Sequence, residues 1–156
     1  MCIICGLDNE YSVKAPFYSM EDGSVMTVFK FREQHQSYPG RVHGELITAM
    51  LDEMGLRALW AKELNEGSFG VTMSLETKYR KPVPYGTELI GQGTIIKNSS
   101  KFCSAEAKIM DMHGNVLANG TINYIKLPLE NINENASEHD EMCYLIEDGV
   151  TEINFQ

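Results

Sequence analysis

Residues 45–64 carry apolar side chains at twelve of twenty positions, spread nearly all round a helical cylinder rather than along one stripe. A helix of that kind has to be wrapped by something else. The spacing predicts one long helix, buried on most sides and stopped by the turn formers at residues 65–67. Upstream, only residues 24–31, "SVMTVFKF", are rich enough in β-branched and aromatic residues to make a strand, before "REQHQSYPG" breaks the pattern. The wrapping must come mainly from downstream. There Val71, Met73, Leu75, Thr77 and Tyr79 alternate with Thr72, Ser74, Glu76, Lys78 and Arg80, which predicts a strand with one buried face. Further strands are expected over residues 87–97, 102–112 and 116–127, separated by "NSS" and "HGN", and such short connections point to an antiparallel meander. The fold class that follows is α+β, a curved antiparallel sheet of five strands curled around one long central helix.

A chain of 156 residues with 43% hydrophobic content suits a single domain, assigned to residues 1–127. The net charge of −9 is not a property of that domain. Up to Leu127, thirteen Lys and Arg face fourteen acids, and eight more acids fall from Glu130 to Glu152. Residues 128–156 are therefore an acidic tail, solvated at first and then, over 142–155, apolar enough to dock on the body or on a partner. No basic patch points to nucleic acid, no apolar run reaches the roughly 18 residues that span a membrane, and the N-terminus lacks the pattern of a secretory signal. The cytoplasm is the expected location. In that reducing compartment Cys2, Cys5, Cys103 and Cys143 are expected as thiols. Cys2 and Cys5 form a lone Cys-x-x-Cys without two further ligands at similar tight spacing, so no metal is expected.

Glu45, Thr48, Asp52 and Gly55 interrupt the apolar helix at spacings of three or four, forming one polar or small stripe. Asp52 must face something polar. Two explanations stand, an acid bonded to a neighbour at a surface or interface, or a catalytic carboxylate. Glu53 and Arg57 lie on a different face and are explained by an i,i+4 ion pair. Gly44 adds weight to the catalytic explanation for Asp52, because a helix N-terminus presents free amides backed by the positive end of the macrodipole. Eight residues at 1.5 Å rise nevertheless put Asp52 about 12 Å from its own Gly44. Two such helices, antiparallel across a two-fold axis, would bring each N-terminus to the other's acid, so this chemistry requires at least a dimer.

The segment "RVHGELITAMLDE" resembles the helix motif of hotdog-fold acyl-CoA thioesterases of the phenylacetate-pathway (PaaI-like) group of the 4-hydroxybenzoyl-CoA thioesterase superfamily, in which His-Gly-Gly precedes an acid nine residues after the histidine. His43, Gly44 and Asp52 fall at those positions. "CIICGLDN" resembles the Cys-x-x-Cys-Gly-x-x-Asn opening of many such proteins, and "GVTMSLETKYRKPVPYG" resembles their strand after the helix; the similarity covers residues 2–127. The resemblance implies a hotdog fold, a homodimer joined further into a dimer of dimers, and hydrolysis of an acyl-CoA thioester between subunits to free acid and CoA. It implies Asp52 as general base or nucleophile, the Gly44 amide as oxyanion donor, and Thr72 as a hydroxyl that orients the attacking water. His43 would position the thioester, or else simply cap the helix. Coenzyme A would arrive as part of the substrate, with no separate cofactor. Its phosphates make Lys78, Arg80, Lys81, Lys97 and Lys101 candidate contacts, although each alone also reads as a solvated surface charge.

Two departures from the family pattern bear on activity. Glu45 replaces the second glycine, and a carboxylate close to an oxyanion site would oppose the developing charge unless it points away. Upstream, Gln36 or Ser37 stands where some relatives have asparagine. These leave two alternatives, a hotdog protein that binds acyl-CoA without hydrolysing it, and a dehydratase or hydratase for acyl thioesters.

Overall fold

The computed structural model describes residues 1–63, 68–132 and 149–153. Among them one α-helix, α1 (Gly44–Glu63), lies against an antiparallel sheet of six described strands: β1 (Tyr18–Ser19), β2 (Val25–Phe29), β3 (Ser68–Tyr79), β4 (Leu89–Asn98), β5 (Phe102–Met110) and β6 (Val116–Pro128). The spatial order is β1-β2-β4-β5-β6-β3. Helix α1 touches every strand from β2 to β6, which only a curved sheet permits. This is the expected architecture with one added two-residue strand, β1, paired to β2 through Tyr18 with Met26.

The connectivity differs from the expected four-strand meander at one place. Strands β4, β5 and β6 follow one another as hairpins, but β3 pairs with β6 and not with β4. The chain crosses after β3, through the "KPVPYG" corner where Val83 is buried and its carbonyl accepts from the Val42 amide at 3.0 Å. Sequence neighbours usually pair, yet here β4 takes the slot beside β2. Strand β3 is left as an edge.

Helix α1 buries one stripe, Ile47, Met50, Leu51, Met54, Gly55, Ala58, Leu59 and Glu63, and leaves Leu46, Ala49, Leu56 and Trp60 partly exposed. Burial on most sides, as its composition predicts, is therefore not reached within one chain. The helix can lie close to the sheet because β4 carries Gly93 under it; a Cβ there would run into the Met54 carbonyl. Met50, Leu51, Met54, Ala58 and Leu59 have no exposed surface. Each large side chain among them contributes about 2–5 kcal/mol against truncation to Ala. Glu63 closes the far end, its carboxylate accepting from Lys126 Nζ at 2.6 and 2.8 Å and from Asn98. Burial opposes its charge, yet these two donors hold its carboxyl below the usual range.

Strand β6 runs through Pro128, and Leu129 just beyond it is buried in the body. The helix stop expected at 65–67, most of the acidic tail and Cys143 lie outside the described residues. Among the described residues no helix is long and apolar enough to cross a membrane, and Cys2, Cys5 and Cys103 are free thiols.

Candidate active site

The polar stripe on α1 faces β3. Asp52 is half-buried, and Thr72 Oγ1 lies 2.9 and 3.0 Å from its two carboxylate oxygens, so one hydroxyl proton is shared between them. Burial pushes the Asp52 carboxyl above its ordinary value, and the Thr72 hydrogen bond opposes part of that rise. Strict alternation along β3 would have turned Thr72 away from the helix, on the side of Glu76 and Lys78. A bulge between Thr72 and Ser74 resets the register, so that Gly70, Thr72, Leu75, Thr77 and Tyr79 all fall on the helix side. One extra residue, Met73, is what lets an edge strand present a hydroxyl to Asp52.

The backbone of Asp52 is held from below. Tyr124, buried on β6, donates its hydroxyl to the Asp52 carbonyl at 2.7 Å. Gly55 makes this possible, since a Cβ at that position would overlap the tyrosine hydroxyl. Gly55 belongs to the stripe for steric reasons and not for chemistry.

At the helix start, the His43 carbonyl accepts from the Leu46 and Ile47 amides at 3.1 and 3.2 Å, and its Nδ1 accepts from the Glu45 amide at 3.2 Å. The capping alternative for His43 is thus present in this chain. The Gly44 amide has no hydrogen-bond acceptor among the described residues, as expected for a first-turn donor. Its carbonyl accepts from Tyr79 Oη at 3.0 Å, and that oxygen in turn lies 2.7 Å from Thr48 Oγ1, itself 3.2 Å from Thr77 Oγ1. Tyr79 has no counterpart among the residues expected from sequence, where its place in the apolar alternation hides the hydroxyl. Glu45 points outward, its side chain 92% exposed and 3.8 Å from His43 Nδ1. The polar residue buried in the preceding loop is His35, not Gln36 or Ser37. His35 takes the Arg32 amide on Nδ1 at 3.0 Å and meets the Tyr11 carbonyl through Nε2 at 2.8 Å.

The five candidate coenzyme A contacts do not converge within one chain. Lys78, Arg80 and Lys81 lie at the Tyr79 end of β3, close to the N-terminus of α1. Lys97 and Lys101 lie near the β4–β5 turn, at the other end of the sheet. Seven residues along β6, from Ala118 to Ile125, separate these ends by about 23 Å. Lys78 pairs with Glu76 at 3.1 Å and Arg80 Nε donates to Asn119 at 2.9 Å. A cavity of about 620 Å³ opens on the sheet face away from the helix, lined by Arg80, Gln92, Thr94, Glu106 and Lys108 among others, and Asp52 is not part of it. Asp52 instead lies along an open strip between α1 and the β3 edge, where Met73 and Tyr79 are exposed.

One long helix embraced by a curved antiparallel sheet, with a carboxylate on the helix facing the edge strand, defines a hotdog fold. The same architecture is seen in a thioesterase superfamily protein (TM-score 0.69, 23% identity), where the match covers 79% of this chain and 62% of that one. It also recurs in thioesterase superfamily member 2 of zebra fish (TM-score 0.67, 20% identity, 78% of this chain and 88% of that one). A third example is a phenylacetic acid degradation-related protein of Ralstonia eutropha (TM-score 0.65, 19% identity, 72% and 85%). No curated protein matches the sequence significantly. The thioesterase superfamily profile matches residues 39–118, half of the chain. The chain belongs to the thioesterase superfamily.

Proposed function

We propose that this protein is an acyl-CoA thioesterase of the PaaI-like kind, working as a homodimer in which Asp52 of one subunit and the Gly44 amide of the other act on one thioester. The observation that carries the reading is the Asp52 carboxylate, bonded through both oxygens to Thr72 in an open strip beside an edge strand. Membership of the thioesterase superfamily supports thioester hydrolysis in general. The assignment of roles rests on the family motif that His43, Gly44 and Asp52 resemble, supported by the Asp52–Thr72 bond.

Asp52 takes a proton from water as it attacks the thioester carbonyl, and the Thr72 hydroxyl fixes the carboxylate for that task. The tetrahedral oxyanion is met by the Gly44 amide and the positive end of α1. Collapse breaks the C–S bond, the acid leaves, and the CoA thiolate recovers the proton held by Asp52. A nucleophilic Asp52, forming an anhydride that water then opens, uses the same placement. Tyr79 holds the Gly44 carbonyl and so steadies the first turn of α1. Glu45 points into solvent in the single chain, which is compatible with turnover. His43 contributes chiefly as a cap.

Edge strand β3 with its exposed Val71, Met73 and Tyr79, together with the part-exposed Leu46, Ala49 and Leu56, supports the dimer, because a partner laid there covers the faces that the chain itself leaves open. A dimer of dimers, the cytoplasm and coenzyme A as the thiol carrier belong to the same proposal. Lys78, Arg80 and Lys81 share the end of the sheet where α1 begins, which suits them to the phosphates better than Lys97 and Lys101. A dehydratase is less well supported, since the side-chain partner of Asp52 among the described residues is a hydroxyl and His43 is turned to Glu45.

Release of CoA thiol from short, medium, long and aromatic acyl-CoAs tests the reading, with wild type compared to Asp52→Asn and the oligomeric state measured for both. Turnover that disappears in a still-dimeric Asp52→Asn supports it. Binding of acyl-CoA with no release by wild type from any substrate refutes it in favour of a binding protein.

A further inference from the structure

The Cys-x-x-Cys pair finds in the folded chain the third ligand that its sequence neighbourhood lacks. Residues 1–15 fold back on α1: the Val13 and Ala15 amides donate to the Ile3 and Ile4 carbonyls at 2.9 and 3.1 Å, and Ile4 is buried. This docks Cys2 and Cys5 against Glu53, 48 residues further along. Cys5 Sγ lies 3.4 Å from Glu53 Oε1 and Cys2 Sγ lies 3.9 Å from Glu53 Oε2, and one ligand atom from each residue falls within 4.8 Å of the others. We propose that Cys2, Cys5 and Glu53 form a binding site for a thiophilic divalent cation of the zinc class, with a fourth position open to water.

Three observations carry this. A tetrahedral ion with metal–sulfur bonds near 2.3 Å and metal–oxygen bonds near 2.1 Å needs its ligand atoms about 3.6–3.8 Å apart; each sulfur faces a different oxygen of Glu53, at 3.4 and 3.9 Å, so a small rotation of the carboxylate brings one oxygen to that distance from both. The Cys2 sulfur already receives the Ile4 and Cys5 amides at 3.3 and 3.5 Å, donors that stabilise a thiolate and leave its remaining lone pairs facing Glu53. Charge then decides between a cation and a disulfide. Once deprotonated by a bound ion, the two thiols would bring two negative charges to the Glu53 carboxylate, and Arg57, which donates to Cys5 Sγ at 2.9 Å and to Glu53 Oε1 at 2.9 Å, would offset one of the three. A dication neutralises the remaining two. A disulfide would leave the carboxylate facing sulfurs that have no use for it.

The ion would staple the N-terminal segment to α1 at the residue next to Asp52, and its presence does not depend on the thioesterase reading. Because Cys2 is exposed, the fourth position is reachable from solvent. The test uses the full chain, tagged at its C-terminus and purified under reductant without chelator. Zinc content is measured by mass spectrometry, and the metal-free protein is titrated with Co²⁺, read by the thiolate-to-cobalt charge-transfer band. One zinc per chain, and a band saturating at one equivalent, are expected. Cys2→Ser/Cys5→Ser should abolish both, Glu53→Gln should weaken Co²⁺ binding at least about 10-fold, and Cys103→Ser should behave as wild type. A wild type that shows no charge-transfer band, a band unchanged in the double serine variant, or a Cys2–Cys5 disulfide in the protein as purified under reductant overturns the proposal. The cobalt titration of wild type decides the matter even if a variant fails to fold.

Discussion

Leu51 and Asp52 are neighbours on α1 and meet two differently finished parts of the molecule. Leu51 has no exposed surface and lies in the core with Met50, Met54 and Leu59, against a sheet whose central strands are paired on both sides. Asp52 looks over β3, an edge strand with exposed Met73 and Tyr79, and is held by two hydroxyls, Thr72 on its side chain and Tyr124 on its carbonyl. Close packing fixes the first face and hydrogen bonds fix the second. On the proposed reading, one helix separates two tasks by a rotation of about 100°, stability on the wrapped face and chemistry on the open one. The carboxylate proposed to meet substrate sits on the face that the core leaves open to water.

The two residues offer the sharpest way to break this division. Asp52→Asn should lower hydrolysis by about 10²–10⁴-fold, the range of a lost general base, while the melting temperature holds or rises because a half-buried charge is removed. Leu51→Ala should do the reverse, costing about 2–5 kcal/mol of stability in urea melts while the folded fraction keeps its turnover. A folded but inactive Leu51→Ala beside an unfolded Asp52→Asn would sink the separation. Tyr124 joins the two faces and should show a smaller, mixed effect. Tyr124→Phe removes one buried hydrogen bond, worth about 0.5–1.5 kcal/mol, and loosens the Asp52 backbone, so kcat should fall with KM little changed.

The wrapped face was legible in the sequence and the open face was only partly so. The apolar density of residues 45–64 demanded a helix inside a sheet, and the helix runs Gly44–Glu63. Period-two alternation located the strands to within a few residues, because the side-chain period of a strand is a local property. The crossing after β3 was not legible, since which edge a strand joins depends on pairing among residues far apart in sequence. Nor was the bulge at Met73: alternation alone turns Thr72 outward, and only the resemblance to known thioesterases placed it beside Asp52. The stripe of Glu45, Thr48, Asp52 and Gly55 did mark the side of the helix that faces β3, yet its members proved unlike in purpose. Glu45 is solvated, Thr48 and Asp52 bond to β3, and Gly55 makes room for Tyr124. Glu53, explained from sequence by Arg57 alone, also meets two cysteines that the folded N-terminus brings to it.

The smallest expected effect concerns how the open face is aimed. His35 is buried beneath the loop that leads into α1, and its carbonyl accepts the His43 amide at 2.9 Å, so it sets where the helix begins. Its ring bridges two backbone groups in the neutral form, accepting from Arg32 on Nδ1 and donating to Tyr11 from Nε2. Burial lowers its pKa below the ordinary 6.5, helped by the Arg32 charge and opposed by the Tyr11 carbonyl. The folded chain therefore binds this proton less readily than the unfolded chain does. Stability from His35 is fully present well above pH 6.5, starts to fall as pH approaches 6.5, and is lost as pH drops through the lowered folded value. The slope cannot exceed the one-proton limit of about 1.4 kcal/mol per pH unit. Urea melts at half-unit steps from pH 8 to 5.5 should show this slope in wild type and lose it in His35→Gln. A slope that survives the substitution would move its source to other groups and leave the loop before α1 indifferent to pH.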